Sequence, residues 1–225
     1  MKRQIFQTIT LEQLRSRLGN TQVIRRFAES YDMVYFGNIN LQDEARLVKG
    51  LTLSRTQQDA HYCVGTTHGH DVMFVQRSDS LKWPGERKES YTWNILVVDM
   101  KDQVKLPHVY LEGKKRHGKA FYETLNVKHR ELSEIPTHLL AGYDPMFGER
   151  FTCRTPVVQA ANLPVVLKPI TAATLSHHFT SYDFEWFEDT VYVYYLSHQP
   201  SRDKLNDMVR AGIWLADEFE KIVQD

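Results

Sequence analysis

His68 and His70 stand two residues apart in TTHGHD, residues 66–71. On a strand that spacing turns both imidazoles to one side, where they could share a divalent cation. A catalytic zinc centre takes three protein ligands, and Asp71, the next residue along such a strand, falls on the opposite side. A different reading makes His68-Gly69 the two-residue turn of a hairpin, with glycine supplying positive φ. Pairing then sets Val64 against Met73 and Tyr62 against Val75, an apolar face. It also holds His61 about 20 Å from the turn at about 3.3 Å per residue, out of reach of any metal at His70. The hairpin is the expected structure, and neither a metal nor another cofactor is expected.

Asp183 and Glu185 are a second candidate pair, two apart in YDFEWFEDTVYVYY, residues 182–195. If Glu188-Asp189 is a two-residue turn, Trp186 faces Val191, Phe184 faces Val193 and Tyr182 faces Tyr195. The opposite side then carries Asp183 and Glu185 beside Tyr194 and Tyr192, a polar, tyrosine-covered exterior. Two carboxylates on one strand face repel, which raises the pKa of one and is the arrangement that acid/base chemistry exploits.

Other candidates carry less. Cys63 and Cys153 lie in no recognised nucleophile motif, and no GxSxG elbow occurs. His177 and His178 are adjacent and diverge on a helix or strand. Phosphate-binding glycine motifs are missing. Lys114–Lys119, followed by Phe121 and Tyr122, could meet a phosphate backbone with stacking, but reads first as a solvated linker. The HGHD stretch is similar to the HxHxDH signature of metallo-β-lactamase-like hydrolases, yet its aspartate follows His70 directly and no histidine follows the aspartate, so the ligand spacing is lost.

Composition limits the classes. Lysine plus arginine and aspartate plus glutamate number 28 each, so no global field favours nucleic acid, and nucleic acid is not an expected partner. With 225 residues, 42% apolar and 25% charged, the chain can bury a core without metal or disulfide. Two cysteines, in no CxxC arrangement, fit a cytoplasmic setting. No run approaches the roughly 20 apolar residues of a membrane span, so no integral membrane segment is expected.

Periodicity assigns these residues to helices and strands. Thr10 and Gln13 form a capping box before a helix that stops at Gly19, and a second helix covers 21–31. MVYFG, LVKGLTLS, HYCVGTT, DVMFVQR, YTWNILVVDM and LPHVYLEG read as strands, with a polar loop between Arg77 and Tyr91. KKRHGK suggests a boundary near residue 115, dividing 1–115 from 116–225, although one domain is also allowed. Beyond it, FYETLNVKHRELSEIP gives a short helix or irregular structure, RFTCRT and LPVVLK strands, and 172–179 a helix. Ser201 to Val223 forms an amphipathic helix whose stripe lies on the sheet, with Trp214 off the stripe's centre.

The sum is an α+β protein with antiparallel sheet in both halves. In FGERFTCRTP, LPVVLKPITAATL, YDFEWFEDTVYVYY and the closing helix, with RLVKGLTL and LPHVYLEG earlier, the chain resembles an uncharacterised bacterial family known as a domain of unknown function. The resemblance covers about residues 45–222 and implies no activity; paired membrane helices precede this region in many of its members. Function stays open between two classes. The first is a non-catalytic module that binds a small molecule or protein through Tyr192, Tyr194, Trp214, Asp183 and Glu185, with the tip residues His68 and His70. The second is a hydrolase-like enzyme, dependent on metal or carboxylates.

Overall fold

The computed structural model describes residues 11–38, 48–52, 54, 56–82, 84–85, 87–101, 105–114 and 117–224. Two tight turns set the registers that the rest follows. His68 (φ 51°) and Gly69 (φ 81°) join β2 (Gln58–Thr67) to β3 (His70–Leu81), with Thr67 opposite His70 and Val64 opposite Met73. Glu188 (φ 55°) turns β8 (Asp183–Glu188) into β9 (Thr190–Leu196), with Phe184 opposite Val193 and Trp186 opposite Val191. Both hairpins keep the expected pairing. The exception is Tyr62: a bulge between Ala60 and Cys63 shifts the register, and Tyr62 pairs instead with Gly37 of β1 (Val34–Gly37). His61 adopts a left-handed backbone (φ 58°) in that bulge.

The remaining strands are β4 (Glu89–Asp99), β5 (Leu106–Gly113), β6 (Leu132–Glu134) and β7 (Phe151–Pro156). All nine form one antiparallel sheet in the order β1-β2-β3-β4-β9-β8-β5-β7-β6. Strands from before and after residue 115 therefore interleave in blocks. β9 lies against β4, and β5 lies between β8 and β7.

Alternation gives the sheet two faces. Val72, Phe74, Leu96, Val98, Val109, Leu111, Phe184, Trp186, Val191 and Val193 form one, where α1 (Leu11–Ser30) and α6 (Arg202–Gln224) pack. Leu205, Met208, Val209, Ala216 and Phe219 of α6 are buried there, as the stripe predicts. The second face, with Val75, Trp93, Ile95, Val97, Tyr110 and Tyr194, is covered by residues 48–52 and by α2 (Lys119–Lys128), through Ala120, Phe121 and Leu125. Among the described residues no helix is long and apolar enough to cross a membrane.

Several expected elements differ. The N-terminal helix is continuous through Gly19, because one interior glycine costs only about 1 kcal/mol and no proline follows; its capping box at Thr10 lies outside the described residues, as do Lys115 and Arg116 of the linker. β3 and β4 run into the expected loop, paired through Ser78 with Thr92 and Ser80 with Ser90. LPVVLK is helical, as α4 (Leu163–Val166): Pro164 cannot donate to a ladder but is tolerated in a first helical turn. Pro169 likewise opens α5 (Pro169–His178). FYETLNVKHRELSEIP divides into α2 and β6, and α3 (Pro145–Arg150) precedes β7. Residues 48–52 form no strand, since their carbonyls and amides are spent on side chains described below.

Because β9 depends on β4 and β8 on β5, a fragment of residues 120–225 loses one ladder from each strand. Expressed alone, it should show no cooperative thermal transition by circular dichroism; a sharp transition would contradict this interdependence.

Candidate functional site

The pairing of β5, β8 and β9 places His108, Tyr110 and Glu112 beside Asp183 and Glu185, and these beside Tyr192 and Tyr194. The expected exterior is interior: Asp183, Glu185 and Tyr194 are 2–3% exposed, and Glu112 1%. The cause is the cover from residues 48–52 and α2. Asp183 accepts from Gly113 N at 2.8 Å through Oδ1, and its Oδ2 lies 2.8 Å from His117 Nε2. Glu185 Oε1 lies 2.8 Å from His108 Nε2, while Oε2 accepts from Leu51 N at 2.9 Å and from the Tyr194 hydroxyl. Each oxygen of both carboxylates is thus engaged by the protein. Tyr192, partly buried, stacks on Tyr194 at 6.3 Å.

The cover is pinned by a second buried charge. Arg77, fully buried, donates from Nε and Nη2 to Asp59 at 2.7 Å each, and to the carbonyls of Val48 (2.6 Å) and Lys49 (3.0 Å). Gly50 (φ 71°) sits against the Tyr194 hydroxyl and Glu185, where a Cβ would overlap the phenol oxygen. His117 stacks on Phe121 at 4.0 Å, so Phe121 is turned inward and is not a platform for a nucleobase. Burial pushes the Tyr110 and Tyr194 hydroxyls well above their ordinary range. Burial also raises Glu112 above the usual 4.5, a shift that a hydrogen bond from Tyr122 opposes and neighbouring Asp183 reinforces.

His68 and His70 do not act as a pair. His68 is exposed in the turn, whereas His70 is fully buried under α6. Its Nε2 is 2.9 Å from Asp217 Oδ1, and its Nδ1 is 3.2 Å from the Asp99 carbonyl and 3.7 Å from Glu220 Oε1. Ligand atoms of His70, Asp217 and Glu220 lie within 4.8 Å of one another, the one such group among the described residues. A cation there would compete with contacts the protein already makes, including that of Lys101 N with Glu220 at 2.6 Å.

The other candidates disperse. Cys63 and Cys153 are buried free thiols, and burial pushes Cys63 up to about 12 and Cys153 higher still, which makes thiolate chemistry unfavourable. His177 pairs with Asp144 at 3.1 Å on an exposed helix end, and Trp214 packs on Phe179 at 5.5 Å.

An open groove lies elsewhere, on the α1 side of the sheet beyond the apolar core. It encloses about 520 Å³ and is lined by Asn20 and Thr21 of α1, by Asn38 just after β1, by Gln58, Ala60 and His61 of β2, Gln76 and Ser78 of β3, Thr92 of β4, and His198. A relay of amides fixes its floor: Asn20 Nδ2 donates to Gln76 Oε1 (2.8 Å), Gln76 Nε2 to Asn94 Oδ1 (3.0 Å), and Asn94 Nδ2 to the Tyr195 and Ser197 carbonyls. Both histidines are anchored through Nδ1, His61 to Tyr35 Oη at 2.7 Å and His198 to Thr92 Oγ1 at 2.7 Å. Burial lowers the His61 pKa and favours its neutral form. The groove's signal in the sequence was the alternation of Gln76 with Val75 and Arg77, and of Thr92 and Asn94 with Trp93.

The architecture defines an α+β class with one antiparallel sheet, helices at both ends of the chain and a partly polar sheet face. No protein-family model matches the chain, and no curated protein matches it. Among solved structures it is similar to the mycobacterial trehalose monomycolate transport factor A, TtfA, at a TM-score of 0.56 and 11% identity over 91% of this chain and 94% of that one. At that identity the likeness is one of fold.

The raised Glu112 gives a test of the closed face. A carboxyl whose folded pKa is raised binds its proton more tightly when folded, so stability is fully present below the unfolded value and falls as pH rises through the folded one. Glu112→Gln keeps an acceptor for Tyr122 without the buried charge. Its melting temperature should gain on the wild type as pH rises from about 4.5 to neutrality. A difference that does not change with pH would contradict burial as the cause.

Proposed function

We propose that the chain is a non-catalytic binding module whose ligand surface is the polar groove between α1, β2, β3 and β4. The observation that carries this reading is a contrast of access. The carboxylates and imidazoles suited to acid/base work are closed over, with each oxygen of Asp183 and Glu185 bonded internally. The groove is open, and its polar groups are held by strands and a helix, the rigid support that a binding site needs. Tyr192, Tyr194, Asp183 and Glu185 then act as supports for the sheet, and Trp214 as a helix contact.

The fold shared with a protein described as a transport factor is compatible with binding without turnover. We also propose that the chain belongs with the bacterial family it resembles, on the β8–β9 hairpin and the closing helix, and that it works in the cytoplasm, where two unpaired thiols persist.

A mixed library of neutral and charged small-molecule fragments tests the groove by amide chemical-shift mapping. Binders should shift the amides of residues 58–61, 76–78 and 92. Ser78→Trp, at an exposed position, should abolish these shifts without changing the melt. Shifts confined to other surfaces, or unaffected by the tryptophan, would overturn the assignment.

A further inference from the structure

The groove's lining is unusual in its charge. Among the described residues ten line it, and none of these is Asp, Glu, Lys or Arg, although a quarter of the chain is charged. Another hollow, about 500 Å³ beside Tyr31, is instead lined by residues that include Asp203, Lys204, Asp207 and Arg210. Resting on the binding reading above, we propose that the groove takes an uncharged, polyhydroxylated ligand: a sugar or a related polyol.

Hydrogen-bond capacity separates the ligand classes. A phosphate or carboxylate asks for donors and a compensating cation, and an ammonium asks for acceptors and an anion. A sugar hydroxyl is at once donor and acceptor, and needs partners of both kinds. Asn38 and Gln58 offer an amide carbonyl and an amide NH₂ each, Gln76 keeps one lone pair and one N–H beyond its relay contacts, and the exposed Ser78 offers a hydroxyl that switches role by rotation. An ion entering this groove would shed water with no carboxylate, ammonium or guanidinium among the described lining residues to meet it, so neutrality selects against charged ligands as well as for neutral ones.

Size and stiffness agree with this class. About 520 Å³ lies within the roughly 300–1,000 Å³ of small-molecule sites, room for one or two sugar rings. The amide relay from Asn20 to Asn94 and the Ser78, Thr92 and His198 contacts keep the polar groups in place before a ligand arrives. His61 lines the groove from a left-handed bulge residue, a backbone state that costs energy and is kept where the surroundings enforce it.

The experiment compares one ring in three charge states, D-glucose, D-glucuronate and D-glucosamine, with the neutral disaccharides maltose and sucrose, on the full chain by amide shift mapping. Neutral sugars should perturb residues 58–61, 76–78 and 92 with affinity at least about tenfold above the charged pair, and Ser78→Trp should remove the response while the melt is unchanged. Equal or tighter binding of glucuronate or glucosamine overturns the ligand class. Silence toward all five sugars also overturns it; fragments that still shift the same amides would leave the groove assignment standing, and silence toward fragments too would remove both.

Discussion

Ionisable side chains buried on one sheet face dictate the course of the segments around them. Arg77 on β3 and Asp183 and Glu185 on β8 have lost nearly all contact with water, and an uncompensated buried charge costs several kcal/mol. Compensation has to come from elsewhere in the chain. Residues 48–52 supply it by giving carbonyls to Arg77 and the Leu51 amide to Glu185, so this segment cannot be a strand. Gly50 permits the approach, and His117, stacked on Phe121 of α2, closes the remainder. The same pairing ties the two halves of the sequence into one sheet, since β5 supplies the Gly113 amide to Asp183.

Local pattern made the hairpins and the closing helix legible. Alternation in YDFEWFEDTVYVYY fixes which residues share a face, and the observed register sets Phe184 opposite Val193 and Trp186 opposite Val191 as expected. It does not reveal whether the second face is covered. The cover comes from residue 51, 134 positions before Glu185, and no periodicity within a strand encodes such a contact. The helical form of LPVVLK and the continuity through Gly19 show the limits of local preference in the other direction, where tertiary packing and proline position outweigh it.

The groove was hidden for a similar reason. Asn20, His61, Gln76, Thr92 and His198 come from separate elements, and each looks like an ordinary polar residue in its own segment. His70 was visible as a candidate, but its partners Asp217 and Glu220 lie on α6, and the spacing to His68 pointed elsewhere. Chemistry that is dense in sequence has here been used for structure, while the accessible polar surface is assembled from residues far apart.

Native-state hydrogen exchange, read residue by residue, reports whether the covered sheet face stays closed to water. If the buried carboxylates are structural clamps, the amides of Leu51 and Gly113, which donate to Glu185 and Asp183, should exchange as slowly as those of β4. Exchange of Leu51 and Gly113 at the rate of exposed loops would mean that this face opens to solvent, and would contradict the assignment of its carboxylates to structure and of the ligand surface to the groove.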